Sequence, residues 1–211
     1  MWLHLNYSMH QSCSKENPVL HIQHSNCKGE FLYGQRKIDF DIDDLETQTT
    51  DLARSGMNWI DRAPNVHDIN GDPNGWKAFN ELCQRLNIYF SVQPIETNSL
   101  PTDEVLENTV AQARNLDRCI GYYVKDEPSA SQFEAVATTM NKYTDMDPTR
   151  FPYVNLFPNY AGATNLGGSY EDYVNKWIST AGKDNLEYLY FDHYPFTQFE
   201  EIRASYFSDV E

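Results

Sequence analysis

Residues 119–128 read CIGYYVKDEP, and their pattern decides the fold. The stretch is rich in aromatic and β-branched residues and alternates with a period of two: Ile120, Tyr122 and Val124 oppose Gly121, Tyr123, Lys125 and Glu127. Pro128 ends the run and biases Glu127 toward extended backbone, because its ring crowds the residue before it. On either side lie Thr102–Asn115 and Ser131–Thr144, where apolar residues recur every three or four positions and predict helices. A strand between two helices is the repeating unit of an α/β protein.

The unit recurs along the chain. Strands are predicted at Met57–Asp61, Asn87–Pro94, Phe151–Phe157 and Glu187–Tyr194, with a weaker one inside Glu30–Phe40. Helices are predicted at Asp44–Ser55, Gly75–Leu86 and Ser169–Thr180. Thr102 should cap its helix, Ser131 with Glu134 fits a capping box, and Gly56 and Gly182 suit helix C-termini. The five clear strands centre near residues 59, 90, 123, 154 and 190, in steps of 31, 33, 31 and 36 residues. No glycine-rich phosphate loop follows the first of them, which speaks against a doubly wound nucleotide-binding sheet. A complete eight-unit barrel takes typically about 250 residues, whereas 211 hold about six uncompressed units. The expected fold is α/β, a (β/α)8 TIM-barrel type incomplete in this chain. It should occupy residues 41–211, after an irregular segment 1–40 that contains the possible first strand.

Composition narrows the function classes. At 40% hydrophobic and 14% aromatic the chain has material for one buried core. Thirty-one acidic residues against 16 basic ones leave a net charge of -15, which argues against the basic surface that nucleic acid or an anionic membrane requires, so neither is expected as a partner. No apolar run is long enough to span a bilayer, and MWLHLNYSMHQSCSKE lacks the apolar stretch of a signal peptide, so a soluble chain is expected. Secretion would need further N-terminal sequence; only in that case would the glycosylation pattern Asn6-Tyr7-Ser8 matter. The four cysteines form no CxxC pair, and Cys13, His21, His24 and Cys27 follow no zinc-finger spacing. No metal and no cofactor is expected.

Alternation places one polar set inside the barrel. Its last members, Gln93, Glu127, Asn155, Asp192 and Tyr194, should collect at the C-terminal mouth, where barrel enzymes keep their active sites. Glu127 is the candidate for proton transfer, since an aromatic-lined pocket would raise a carboxyl's pKa. Lys125 is expected inward, one layer below. Tyr123, Tyr153, Tyr160, Tyr190 and Tyr194, and Trp59, offer faces for stacking sugars or for filling the core. Asp192 could serve as a second carboxylate in an inverting pair, which needs a gap of roughly 6.5–9.5 Å, or could orient substrate; His193, on the alternate face, reads as structural.

The segments GYYVKDEPS, FPYVNLFPNY, SYEDYVNKWI and YLYFDHYPF, in that order, resemble the clan A glycoside hydrolases, in particular barrels similar to the family 42 β-galactosidases. The resemblance covers roughly residues 44–211. It implies a carbohydrate substrate, hydrolysis of O-glycosidic bonds and Glu127 as general acid/base at the end of the fourth barrel strand. It also implies sugar contacts from Gln93, Asp126, Asn155, Tyr160, Asp192 and Tyr194. Asp126 stands where that group usually has Asn, which contacts the sugar 2-hydroxyl; Asp can accept the same hydrogen bond. The nucleophilic Glu of retaining members sits on strand seven, which would lie beyond Glu211. The alternative is a non-catalytic carbohydrate-binding barrel remnant. Six parallel strands without closure would also expose two sheet edges, so self-association through them is expected.

Overall fold

The computed structural model describes residues 5–7, 22–24, 42–63, 75–94, 99–182, 186, 188–191 and 194. Two short strands, β1 (Leu5–Tyr7) and β2 (Ile22–His24), pair antiparallel. The βα series follows: α1 (Ile42–Arg54), β3 (Trp59–Ile60), α2 (Trp76–Leu86), β4 (Tyr89–Val92), α3 (Asp103–Ala113), β5 (Cys119–Asp126), α4 (Phe133–Met146), β6 (Phe151–Asn155), a one-turn α5 (Ala163–Leu166) and α6 (Tyr170–Ala181). The strand expected within Glu30–Phe40 lies outside the described residues. No described helix is long and apolar enough to cross a membrane.

Strands β3 to β6 form a parallel sheet in the order β3-β4-β5-β6. A further parallel segment follows, since Leu156 bridges Phe191 and its N–H donates to the Tyr190 carbonyl at 2.9 Å. Each strand of this four-stranded sheet therefore lies beside its sequence neighbour, with a helical crossover between, and the order does not reverse as it does in a doubly wound sheet. The sheet also curls. In a flat sheet β3 and the Tyr190 segment would stand about 19 Å apart, at about 4.8 Å per strand. Yet the Trp59 and Tyr190 rings meet edge to face with centroids 5.3 Å apart. That contact requires the sheet to bend round on itself as barrel staves do.

The curl separates two cores. Outside it, Ile88, Phe90, Val92, Tyr122, Val124, Val154 and Leu156 meet the helices, as alternation predicts. Phe79 of α2 packs on Phe90 with centroids 5.1 Å apart, Tyr143 of α4 stacks on Tyr122 at 4.4 Å, and Trp177 of α6 meets Phe133 at 5.1 Å. The helix residues involved recur at three- and four-residue spacing, and each large side chain so buried contributes about 2–3 kcal/mol. Inside the curl lies a smaller cluster of Trp59, Tyr123, Tyr153 and Tyr190.

Two register shifts in β5 break strict alternation. Cys119 pairs with Phe90 and Gly121 with Ser91, which leaves Ile120 over; Ile120 packs on the inner cluster rather than on the helices. Farther on, Tyr123 pairs with Tyr153 but Lys125 pairs with Val154, a member of the helix-side core. Lys125 thus shares the register of an outward residue, and Asp126 comes level with Asn155. Phe157, which strict alternation sets on the face of Tyr153 and Asn155, packs instead on the outer core beside Tyr173. Gly121 matters at the first shift: a Cβ there would stand 2.9 Å from the Phe151 carbonyl, a backbone atom that cannot swing away. Gly121→Ala is expected to cost about 1–3 kcal/mol, read as a lower urea midpoint. An unchanged midpoint would refute this account of the strand contact.

The caps differ from expectation at one helix. Thr102 caps α3, accepting from the Val105 N–H, and Gly182 ends α6 at φ 85°. Ser131 caps nothing: α4 begins at Phe133, and Gln132 Oε1 accepts the Ser129 N–H at 2.9 Å. The capping box sits on α6, between Ser169 and Asp172.

At the N-terminal ends of β5 and β6 a polar cluster ties the sheet to α4. Asp147, 3% exposed, accepts from the Tyr122 hydroxyl at 2.7 Å, from Arg150 Nη1 at 2.8 Å and from Thr149. Arg150 also donates to the Cys119 and Leu116 carbonyls at 2.9 and 3.2 Å.

Candidate active site

At the opposite end the inner face of the sheet carries a continuous polar chain across all four strands. It begins on β4, where Ser91 Oγ lies 2.5 Å from the Tyr153 hydroxyl of β6. Tyr153 donates its proton to the carboxylate of Asp61, just beyond β3, so Ser91 is the donor to Tyr153. Asp61 Oδ2 pairs with Arg62 Nε at 3.3 Å. The Arg62 guanidinium lies over the Tyr123 ring, 4.4 Å from its centroid. Tyr123 in turn donates to Asp126 Oδ1 at 2.6 Å, and Asn155 Nδ2 donates to the same oxygen at 3.1 Å. That bond assigns the Asn155 amide, because a flipped amide would set oxygen against carboxylate.

The electrostatics follow from the packing. Burial, reinforced by the carboxylates Asp126 and Asp61 and opposed by Arg62, holds the Tyr123 phenol well above its ordinary pKa. Burial and the Asp61 charge do the same to Tyr153, and burial to Tyr190. All three therefore stay neutral and can donate across the working pH range. Burial opposes the charge on Arg62, but Tyr123, Asp61, Asp126 and Tyr153 outweigh it and raise its pKa. Arg62 keeps 37% of its side chain open to solvent, so a cation rests at the rim of the chain.

Glu127 leaves the strand in a conformation that the sequence does not suggest. Its φ is 39°, in the left-handed region, where the following proline predicts extended backbone. Two fixed points impose the turn. The Glu127 N–H donates to the Asn155 carbonyl at 2.8 Å, and the Pro128 carbonyl accepts from the Tyr173 hydroxyl of α6 at 2.7 Å. Tyr173 also accepts the Phe157 N–H at 3.2 Å, so one phenol clamps the loops after β5 and β6 together. A non-glycine residue with positive φ costs about 1–3 kcal/mol and persists only where its surroundings over-determine it.

The other expected site residues fall into place unevenly. Asp126 and Asn155 touch directly, as described. Tyr160 accepts the Tyr194 N–H at 2.8 Å, which joins the loop after β6 to the end of the last described segment. Gln93 directly follows β4 and is half-buried. Asp192 and His193 lie outside the described residues. The sequence reading missed Asp61, Arg62 and Ser91; the available signal was the charged pair closing the strand WIDR at 59–62. Tyr153→Phe tests the chain, since it leaves the Asp61 carboxylate, 8% exposed, without its phenolic donor. The expected loss is about 1–3 kcal/mol in a denaturant melt, and a loss below about 0.5 kcal/mol would show the bond to be dispensable.

No protein-family model matches this chain, and no curated protein matches it. Among solved structures, one that matches is described as a "putative alpha-L-fucosidase" from Bacteroides thetaiotaomicron, with TM-score 0.46 and 10% identity over 72% of this chain and 57% of that one. Another is an endo-1,4-beta-mannanase from Eisenia fetida, with TM-score 0.40 and 14% identity over 69% and 58%. The chain thus spans a little under three fifths of the length of these two structures. Both names describe enzymes that cleave glycosidic bonds, and neither names a β-galactosidase, so the finer resemblance to family 42 is not shown.

Proposed function

We propose that this chain belongs to a barrel-type glycoside hydrolase that cleaves O-glycosidic bonds, with Glu127 as general acid and base. The observation that carries the reading is the strained turn at Glu127. A carboxylate at the C-terminal end of a parallel strand is held at φ 39° between two hydrogen bonds, beside a polar chain drawn from four strands. Strain of this kind gathers where side-chain placement outweighs local stability.

In the mechanism, protonated Glu127 gives its proton to the glycosidic oxygen as the bond from that oxygen to the anomeric carbon breaks, and the departing sugar leaves as an alcohol. In the retaining case the ionised Glu127 then takes a proton from the water that displaces a second carboxylate at the anomeric carbon; in the inverting case the second carboxylate takes the proton of the attacking water as the bond breaks, and Glu127 acts as acid alone. A second carboxylate is needed. Placed about 5–5.5 Å away it would act as nucleophile and retain configuration; at roughly 6.5–9.5 Å it would activate water and invert it. Asp192 is our candidate within this chain for the wider geometry. Gln93, Asp126, Asn155, Tyr160 and Tyr194 would contact the sugar.

A carbohydrate-binding role without turnover is the second reading. It is favoured by the state of Asp61 and Asp126, both engaged by the protein's own Arg62, Tyr153, Tyr123 and Asn155. Release of reducing ends from a panel of polysaccharides and aryl glycosides separates the two. Turnover supports hydrolysis; saccharide binding with no turnover, in this chain and in the intact native protein, supports the second reading.

A further inference from the structure

Glu127 takes its backbone geometry from the βα unit that follows it. Three contacts tie residues 127–130 to that unit. The Glu127 N–H donates to the Asn155 carbonyl of β6 at 2.8 Å, the Pro128 carbonyl accepts from the Tyr173 hydroxyl of α6 at 2.7 Å, and the Ala130 N–H donates to the Asn165 carbonyl of α5 at 3.0 Å. Of the three, the Tyr173 contact alone comes from a side chain. Tyr173 is itself fixed: it is buried, and its ring packs on Phe133 of α4 with centroids 4.9 Å apart. Its oxygen accepts the Phe157 N–H at 3.2 Å, and its single proton goes to Pro128. Burial outweighs the Phe157 N–H and, with the charges of Tyr170 and Glu127, keeps the phenol above its ordinary pKa, so the proton is present across the working pH range.

Pro128 by itself favours an extended Glu127. With the Glu127 N–H fastened to Asn155, a rotation about φ from 39° to the extended range redirects the Cα–Cβ bond. We propose that Tyr173 is a positioning residue for Glu127: its bond to the Pro128 carbonyl selects the left-handed turn, and with it the direction in which the carboxyl is presented. The inference rests on the reading of Glu127 as general acid and adds the residue that places it.

The test is Tyr173→Phe in the full chain, followed by kinetics and by amide exchange. Without the bond the extended form gains population, and kcat on glycosides with poor leaving groups is expected to fall about three- to tenfold, the worth of one neutral hydrogen bond, with KM unchanged. Activated aryl glycosides, which depart without a proton, should lose less than about 1.5-fold. The Glu127 amide should exchange about three- to tenfold faster, measured against the Phe90 N–H, which donates to the Arg118 carbonyl inside the sheet. Thr102→Ala is the control for simple destabilisation: it removes the cap of α3 and is expected to lower the urea midpoint while leaving the ratio of the two activities unchanged. Should Tyr173→Phe fail to fold, the unaltered chain decides. One opening of the clamp frees both the Glu127 and the Phe157 N–H, so their protection factors should agree within about fivefold, and a wider gap overturns the proposal. An equal loss on both classes of glycoside, or an unchanged Glu127 exchange rate in Tyr173→Phe, also overturns it. The two readings fail separately. If the unaltered chain hydrolyses glycosides and the variant shows no split between leaving groups, this inference alone is lost. If the unaltered chain hydrolyses none, yet the variant frees the Glu127 amide, the hydrolase reading is lost and the hold of Tyr173 on Glu127 stands.

Discussion

Glu127→Gln is expected to lower kcat on glycosides with poor leaving groups by about 10²–10⁴-fold, the usual worth of a positioned general acid. Activated aryl glycosides should lose much less in the bond-breaking step, because their leaving group departs without a proton. That split, absent from a merely destabilised protein, is the readout, and Gln is close enough in size to leave the melt unchanged. Glu127→Gly carries the argument further. At φ 39° glycine pays no steric penalty, so this variant should be more stable than the parent by about 1 kcal/mol while also losing activity. A variant that gains stability by losing function is what a strained catalytic position predicts. Full activity in Glu127→Gln would remove the residue from the mechanism.

The largest stability effect is expected at the other end of the strands. Asp147→Ala removes the carboxylate that Tyr122, Thr149 and Arg150 share, and strands an Arg150 side chain that is only 11% exposed. Breaking a buried pair in this way costs about 3–5 kcal/mol, to be measured as the change in unfolding free energy in urea. Burial alone would raise the pKa of Asp147, but hydrogen bonds from Thr149, Tyr122 and Arg150 outweigh it and hold the group at about 2, against an ordinary 3.8. A depressed folded value means that the stabilisation is complete above the unfolded pKa and disappears as pH falls from about 4 to about 2. The difference corresponds to about 2 kcal/mol. The wild-type urea midpoint should therefore fall more steeply over that range than that of Asp147→Asn. Parallel curves would show that the carboxylate charge contributes nothing there.

Arg150 illustrates what the linear sequence conceals. Four of its contacts reach Leu116, Cys119, Asp147 and Thr149, and the first two lie more than 30 positions away, joined only because β5 and β6 are neighbours. The same holds at the mouth. Ser91 carries no chemical signal in the sequence, and acquires a role only through a Tyr153 hydroxyl 62 positions later. Asp61 closes the strand predicted at Met57–Asp61 and Arg62 follows it, but their roles depend on Tyr153 and Tyr123, more than 60 positions further on.

The sequence by itself determined the succession of strands and helices, the sorting of β4, β6 and the Tyr190 segment into two faces, and the placing of Glu127 at a strand's C-terminal end. These follow from period-two and three-to-four-residue patterns, which local burial enforces. Only the tertiary structure decided the rest: the curl that brings Trp59 against Tyr190, the shift that aligns Asp126 rather than Lys125 with the inner face, and the left-handed turn at Glu127. Each depends on which strand lies beside which and on where a distant carbonyl or hydroxyl falls. Asn155 and Tyr173 set the backbone at residues 127 and 128 more strongly than the local preference imposed by Pro128.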